Sequence, residues 1–193
     1  MKFKLIFICF SCVIFCSENK INKWHEFILT PDSTNFQSIY IGLENAINHN
    51  NKEYKEDLIK NFLNFNNTDF KSFIKLINVG NKYSIELGFM LLKFSDGIIT
   101  NILNVSLGNV IKINPVLFLR LLQKHKDIIT RISPLLCALG YNYVDQFEKQ
   151  LDEIKLRIKS IEGVSTPELQ DIKKVCLMHL YNKKTSIEEL LNN

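Results

Sequence analysis

Apolar side chains recur every three or four positions along almost the whole chain, and no run of strict alternation competes with them. An α-helix brings positions i, i+3, i+4 and i+7 onto one face, so this spacing gathers a stripe that water drives against a partner. Phe36, Ile39, Tyr40, Leu43, Ala46 and Ile47 form one stripe. Tyr54, Leu58, Phe62 and Phe65 form the next, and Phe70, Phe73, Ile74 and Ile77 a third. Between Tyr83 and Phe94 the apolar residues fall on several faces, which predicts a central helix. The segments 27–29 and 39–41 have some β character but are short. The pattern predicts an all-α fold, a single-domain multi-helix bundle or a short stack of antiparallel helical hairpins.

Helix ends leave backbone N–H and C=O groups unpaired, and the sequence supplies residues that bind them. Thr34 and Gln37 have the spacing of a capping box. Thr68 stands before the third stripe as an N-cap, and Gly80 closes it. Ser95-Asp96 opens a further helix, and Asn114-Pro115 combines an N-cap with proline at the first helical position. A helical segment from Asp127 to Leu139 is interrupted or restarted at Pro134, with Ser133 as cap. Thr166-Pro167 opens another helix, and Ser186 with Glu189 predicts a capping box before a separate short terminal one. Residues 34–193 read as one domain. A domain of that length buries roughly 70% of its extended surface and folds without a staple.

Val144, Phe147, Leu151, Ile154, Ile158 and Ile161 make a narrow heptad-like seam. Charges stand between them, including Glu153 and Arg157 at i,i+4 spacing. Such a seam serves either a long helix lying across the bundle or a contact between chains. The expectation is a monomer, with a homodimer through the 144–161 helix as the alternative. Ile85-Glu86-Leu87-Gly88 is echoed by Val105-Ser106-Leu107-Gly108. A glycine inside a helix costs about 1 kcal/mol relative to alanine, so it is expected where a neighbouring helix comes close. Hairpins with such glycines resemble HEAT-type helical repeats over residues 68–140 at most. That resemblance implies a right-handed stack.

The start of the chain carries a different signal. Lys2 and Lys4 precede an apolar run from Leu5 to Cys16, broken only by Ser11, and Ser17-Glu18-Asn19-Lys20 follows. A charged start, roughly 7–15 apolar residues and a polar exit read as a secretory signal. The run is shorter than the roughly 20 residues that cross a bilayer. Residues 1–16 therefore read as a signal peptide or lipoprotein leader. Cys16 is the candidate lipidation site, although Phe15 sits where a bacterial lipobox has a small residue. Residues 17–33 read as an N-terminal linker or strap. Its Trp24 either packs on the domain or meets a partner. The protein is expected in the periplasm, the cell envelope or outside the cell.

Charge excludes one class of partner. The chain has 24 basic and 20 acidic residues, and without Lys2 and Lys4 the excess falls to +2. The two signs are interleaved and no basic stripe forms, so nucleic acid is not an expected partner. Lys124-His125-Lys126 is the densest basic cluster and reads as a solvated helix end.

Catalytic signatures are missing from the sequence: no H-E-x-x-H, G-x-S-x-G, P-loop or G-x-G-x-x-G occurs. No catalytic, cofactor or metal residue is assigned. Cys176 and His179 are three apart on one helix, but two ligands make half a zinc site. Beyond the leader only Cys137 and Cys176 remain. They form a candidate disulfide in an oxidising compartment, or serve as two small apolar residues. Paired acids such as Asp152-Glu153 read as solvated surface. Sequons at Asn66 and Asn104 matter only in a eukaryotic secretory route. Together these features lead to an exported, non-catalytic helical protein that binds another protein, in the manner of a periplasmic inhibitor or immunity protein. The alternatives are a membrane-tethered envelope lipoprotein with a structural role and, third, an enzyme of unrecognised type.

Overall fold

The structure is a computed structural model that describes residues 22–49, 59–127, 129 and 131–192. The leader 1–16 with Cys16, and the stripe residues Tyr54 and Leu58, lie outside the described residues. Among those described there are nine α-helices and no strand. They are α1 (Lys23–Leu29), α2 (Ser33–His49), α3 (Thr68–Asn78), α4 (Lys82–Leu91), α5 (Gly97–Ile113), α6 (Pro115–Lys124), α7 (Ile132–Cys137), α8 (Phe147–Glu162) and α9 (Gln170–Asn192).

The fold is an all-α multi-helix bundle with a two-layer order. Odd-numbered helices pack each on the next odd one, from α1 through α3, α5 and α7 to α9. Even-numbered helices do the same from α2 through α4 and α6 to α8. Pairs adjacent in sequence, such as α1 with α2, α3 with α4 and α8 with α9, join the layers. A short stack of helical hairpins requires this pattern. Helix α4, apolar on several faces, lies against α2, α3, α5 and α6, and Ile85, Leu87, Phe89 and Leu91 are fully buried.

The two echoed glycines lie at close approaches. A Cβ on Gly88 would lie 3.0 Å from Ile77 Cδ1 and 3.1 Å from Leu107 Cδ2. One on Gly108 would lie 2.9 Å from the Leu135 carbonyl. Each glycine thus lets a neighbouring element come nearer than alanine would allow.

Several boundaries differ from the sequence reading. The strap is helical from Lys23: α1 buries Trp24 and Phe27, and the indole stacks on Phe62 at 3.7 Å between centroids. Asn22 caps it by accepting from Trp24 N and His25 N. Helix α2 begins at Ser33, and Asp32 accepts from Thr34 N and Asn35 N, so the Thr34–Gln37 box is not what caps it. At α3 the cap is Asn67 and not Thr68, because the Asn67 oxygen reaches the amides of Asp69 and Phe70. Phe65 does not continue a buried stripe; it lies in a turn and is 49% exposed. The segment expected from Asp127 to Leu139 yields only α7, and Ser133 lies inside it. Helix α9 runs unbroken through Ser186, whose hydroxyl donates back to the Asn182 carbonyl at 3.0 Å. No capping box is used there, since the amides it would serve are already paired within the helix.

The seam on α8 is used inside the molecule. Ile154, Ile158 and Ile161 are buried against α9, which is α8's most extensive neighbour. The second half of the predicted stripe is thus packed within the bundle, whereas Val144 lies before the helix and is 57% exposed, and Phe147 and Leu151 are only partly buried.

Candidate functional site

Three places gather polar or apolar groups that need an explanation. The first is a buried ionic network between α5, α7 and α8. Arg157 is fully buried and Glu153 is 5% exposed. This corrects the reading of Glu153 as solvated surface. The guanidinium donates from Nε to Glu153 Oε1 at 3.2 Å, from Nη1 to the Leu136 carbonyl at 2.6 Å, and from Nη2 to Asn109 Oδ1 at 3.2 Å. Lys112 Nζ donates to the other Glu153 oxygen at 2.8 Å. Burial pulls the Arg157 guanidinium below its usual value, and the Glu153 carboxylate opposes that pull. Each of the three Arg157 nitrogens donates to a protein oxygen, which fits a structural role. The network ties the carbonyl of the short α7 to two long helices.

The second place is the junction of α2, α4 and α6. Lys124 Nζ donates to Glu86 Oε1 and lies over the Tyr40 ring, 5.0 Å from its centroid. Burial pulls Lys124 down, but hydrogen bonds with Glu86 and Tyr40 outweigh it and the net shift is upward. His125 follows at the C-cap of α6. It is 5% exposed and stacks on Phe89 at 6.3 Å between centroids. Its Nε2 has no hydrogen-bond partner among the described residues. Burial lowers its pKa, and the charge of Lys124 lowers it further, against smaller opposite effects of Glu86 and Glu44. The cluster Lys124-His125-Lys126 is thus a solvated helix end only in part: Lys124 and Lys126 are exposed, but Lys124 is paired with Glu86 and His125 is in the core. The junction holds a poor proton acceptor and a lysine fixed in its charged form.

The third place holds the thiols. Cys176 is buried and Cys137 partly so, and both are free. Burial pushes Cys176 to about 12 and raises Cys137 as well. Cys137 Sγ faces the His179 backbone carbonyl at 4.0 Å. A thiol activated as a nucleophile is pulled the other way. Among the described residues no group of three His, Cys, Asp or Glu is arranged to hold a metal ion. A shallow cleft of about 290 Å³ lies beside Ile59, Leu63, Phe94 and Asp96.

What is exposed differs in character. Helix α9 ends the odd layer, and its outward residues Met178 and Tyr181 are 53% and 43% exposed. Leu190 and Leu191, in its last turns, are 55% and 36% exposed. Tyr141 and Val144, in the connection from α7 to α8, are 73% and 57% exposed. Tyr181 still donates to Glu162 Oε1 at 2.6 Å, which holds its ring on the surface. The i,i+3 spacing of Met178 and Tyr181 is the sequence signal for this face, but a partly apolar outer face is indistinguishable there from an inner one.

No protein-family model, curated protein or solved structure matches the chain. No described helix is long and apolar enough to cross a membrane.

Proposed function

We propose that the protein works outside the cytoplasm by binding another protein through the α9 end of the stack, and that it performs no chemistry of its own. The observation that carries this reading is the concentration of exposed apolar side chains on the last helix: Met178, Tyr181, Leu190 and Leu191. Single exposed apolar residues are ordinary on a protein surface. Met178 and Tyr181 lie one turn apart on the same side of α9, and both are residue types that protein contacts favour; Leu190 and Leu191 follow on other sides of its last turns. Export rests on the charged, apolar and polar succession of residues 1–20. A tethered envelope protein is the second reading, favoured by Cys16 at the end of the apolar run.

The test is site-specific photo-crosslinking in the native source, with the crosslinker at Met178, at Leu190, and at the exposed Lys75 on α3 as a control. The expected result is one discrete protein adduct from positions 178 and 190 and none from 75. Equal labelling at all three positions would remove the α9 face from consideration.

A further inference from the structure

Two N-x-S/T sequences occur in the chain, and the fold treats them in opposite ways. Asn66-Asn67-Thr68 lies in the connection leading into α3. Asn67 N donates to the Asn64 carbonyl at 2.9 Å, which closes a β-turn with Asn66 as its third residue. Asn66 N donates to Asn64 Oδ1 at 2.9 Å, fixing the turn without using the Asn66 side chain. Asn66 and Thr68 are both exposed. The middle residue, Asn67, has its side chain committed to capping α3 and to the Asn61 carbonyl. Asn104-Val105-Ser106, by contrast, lies inside α5, with Asn104 at 8% and Ser106 at 3% exposure.

We infer that Asn66 is the acceptor of an N-linked glycan and that Asn104 is not. The inference rests on the export reading above taken through a eukaryotic secretory route, where the donor is found; a bacterial periplasm is the other export destination and does not enter it. The donor class is an oligosaccharide joined through pyrophosphate to a polyisoprenoid lipid. The Asn66 side-chain nitrogen attacks the anomeric carbon of the first sugar and loses one proton to a base of the transferase. The anomeric carbon–oxygen bond breaks, and the lipid pyrophosphate leaves with that electron pair. The product is a carbon–nitrogen bond at an exposed turn tip. Within the odd layer α5 and α7 separate α3 from α9, so a glycan at Asn66 leaves the proposed docking face open. A glycan on Asn104 would have to displace the packing around α5, which contacts α3, α4, α6, α7 and α8.

The experiment expresses the full chain in a secreting eukaryotic cell in two forms, with its own leader and with a proven signal sequence in place of residues 1–16. Secreted protein is digested with and without a peptide N-glycosidase, and the modified asparagine is located by peptide mass. Asn66→Gln and Asn104→Gln are run beside each form. A glycosidase-sensitive mass at Asn66, lost in Asn66→Gln and kept in Asn104→Gln, is the expected result. The same mass seen only with the substituted signal supports the acceptor site while contradicting export by the native leader. Secreted protein with residue 66 unmodified, or with a glycan at Asn104, overturns the inference.

Discussion

The guanidinium of Arg157 occupies the space that a side chain on Gly108 would need: a Cβ there would lie 2.7 Å from Nη1. It would also lie 2.9 Å from the Leu135 carbonyl, which is backbone and cannot swing aside. Alanine gains about 1 kcal/mol of helix propensity over glycine, and forcing a methyl into a packed core costs about 1–3 kcal/mol. Displacement of a buried, hydrogen-bonded charge adds to the second figure. Gly108→Ala is therefore expected to lower stability by about 2 kcal/mol, read from the urea midpoint at unchanged slope. An unchanged or higher midpoint would mean that α5 and α8 are not this close.

Removing Arg157 tests the network itself. Glu153 would keep Lys112 but lose its buried partner. Breaking a buried ion pair on one side costs about 3–5 kcal/mol, whereas replacing both charges by apolar residues is often far milder. Arg157→Met should destabilise strongly, and Arg157→Met with Glu153→Met should recover part of the loss. Additive losses in the double variant would contradict the coupling.

How much of this the sequence disclosed depends on how many neighbours each helix has. The periods of three and four placed Ile154, Ile158 and Ile161 inward, and they are inward. The same periods assigned Glu153 and Arg157 to a polar flank. They are buried because α8 is covered by α5, α6 and α9 together, so its flanks are enclosed as well as its seam. A sequence period reports the direction of one apolar face and not how many helices cover the rest. Trp24 was legible as an aromatic anchor but not as part of a helix, since α1 spans only two turns and its burial depends on Phe62 and Phe73 far along the chain. The exposed face of α9 was hidden for the converse reason: nothing in the spacing marks where the stack ends.

His125 gives a pH dependence with a defined sign. Burial holds its folded-state pKa below the ordinary 6.5, with Lys124 adding to the effect and Glu86 and Glu44 opposing it. The unfolded chain then binds the proton more readily than the folded one, so stability rises with pH in this window. The contribution is complete above about 6.5 and is lost as pH falls from there toward the depressed folded value. His125→Leu should flatten that part of the stability–pH curve. It should also be neutral or stabilising at pH 8, since an unpartnered buried polar atom costs about 1–3 kcal/mol. Identical curves for the two proteins would show that His125 is solvated.

The thiols should be slow to react in the folded protein. With Cys176 at about 12 and Cys137 raised, little thiolate forms near neutral pH. Alkylation at pH 7.5 should label Cys137 before Cys176, and guanidinium without reductant should open both to labelling. Protection of both in guanidinium without reductant would instead establish the Cys137–Cys176 disulfide.

The proposed function requires a helical body that leaves the cytoplasm without its oily start. Intact-mass analysis of the protein from its own source, in cytoplasmic, membrane and external fractions, tests this most directly. The expected species begins after residue 16, or at an acylated Cys16 in the membrane fraction. An unprocessed chain beginning at Met1 and confined to the cytoplasmic fraction would contradict the account.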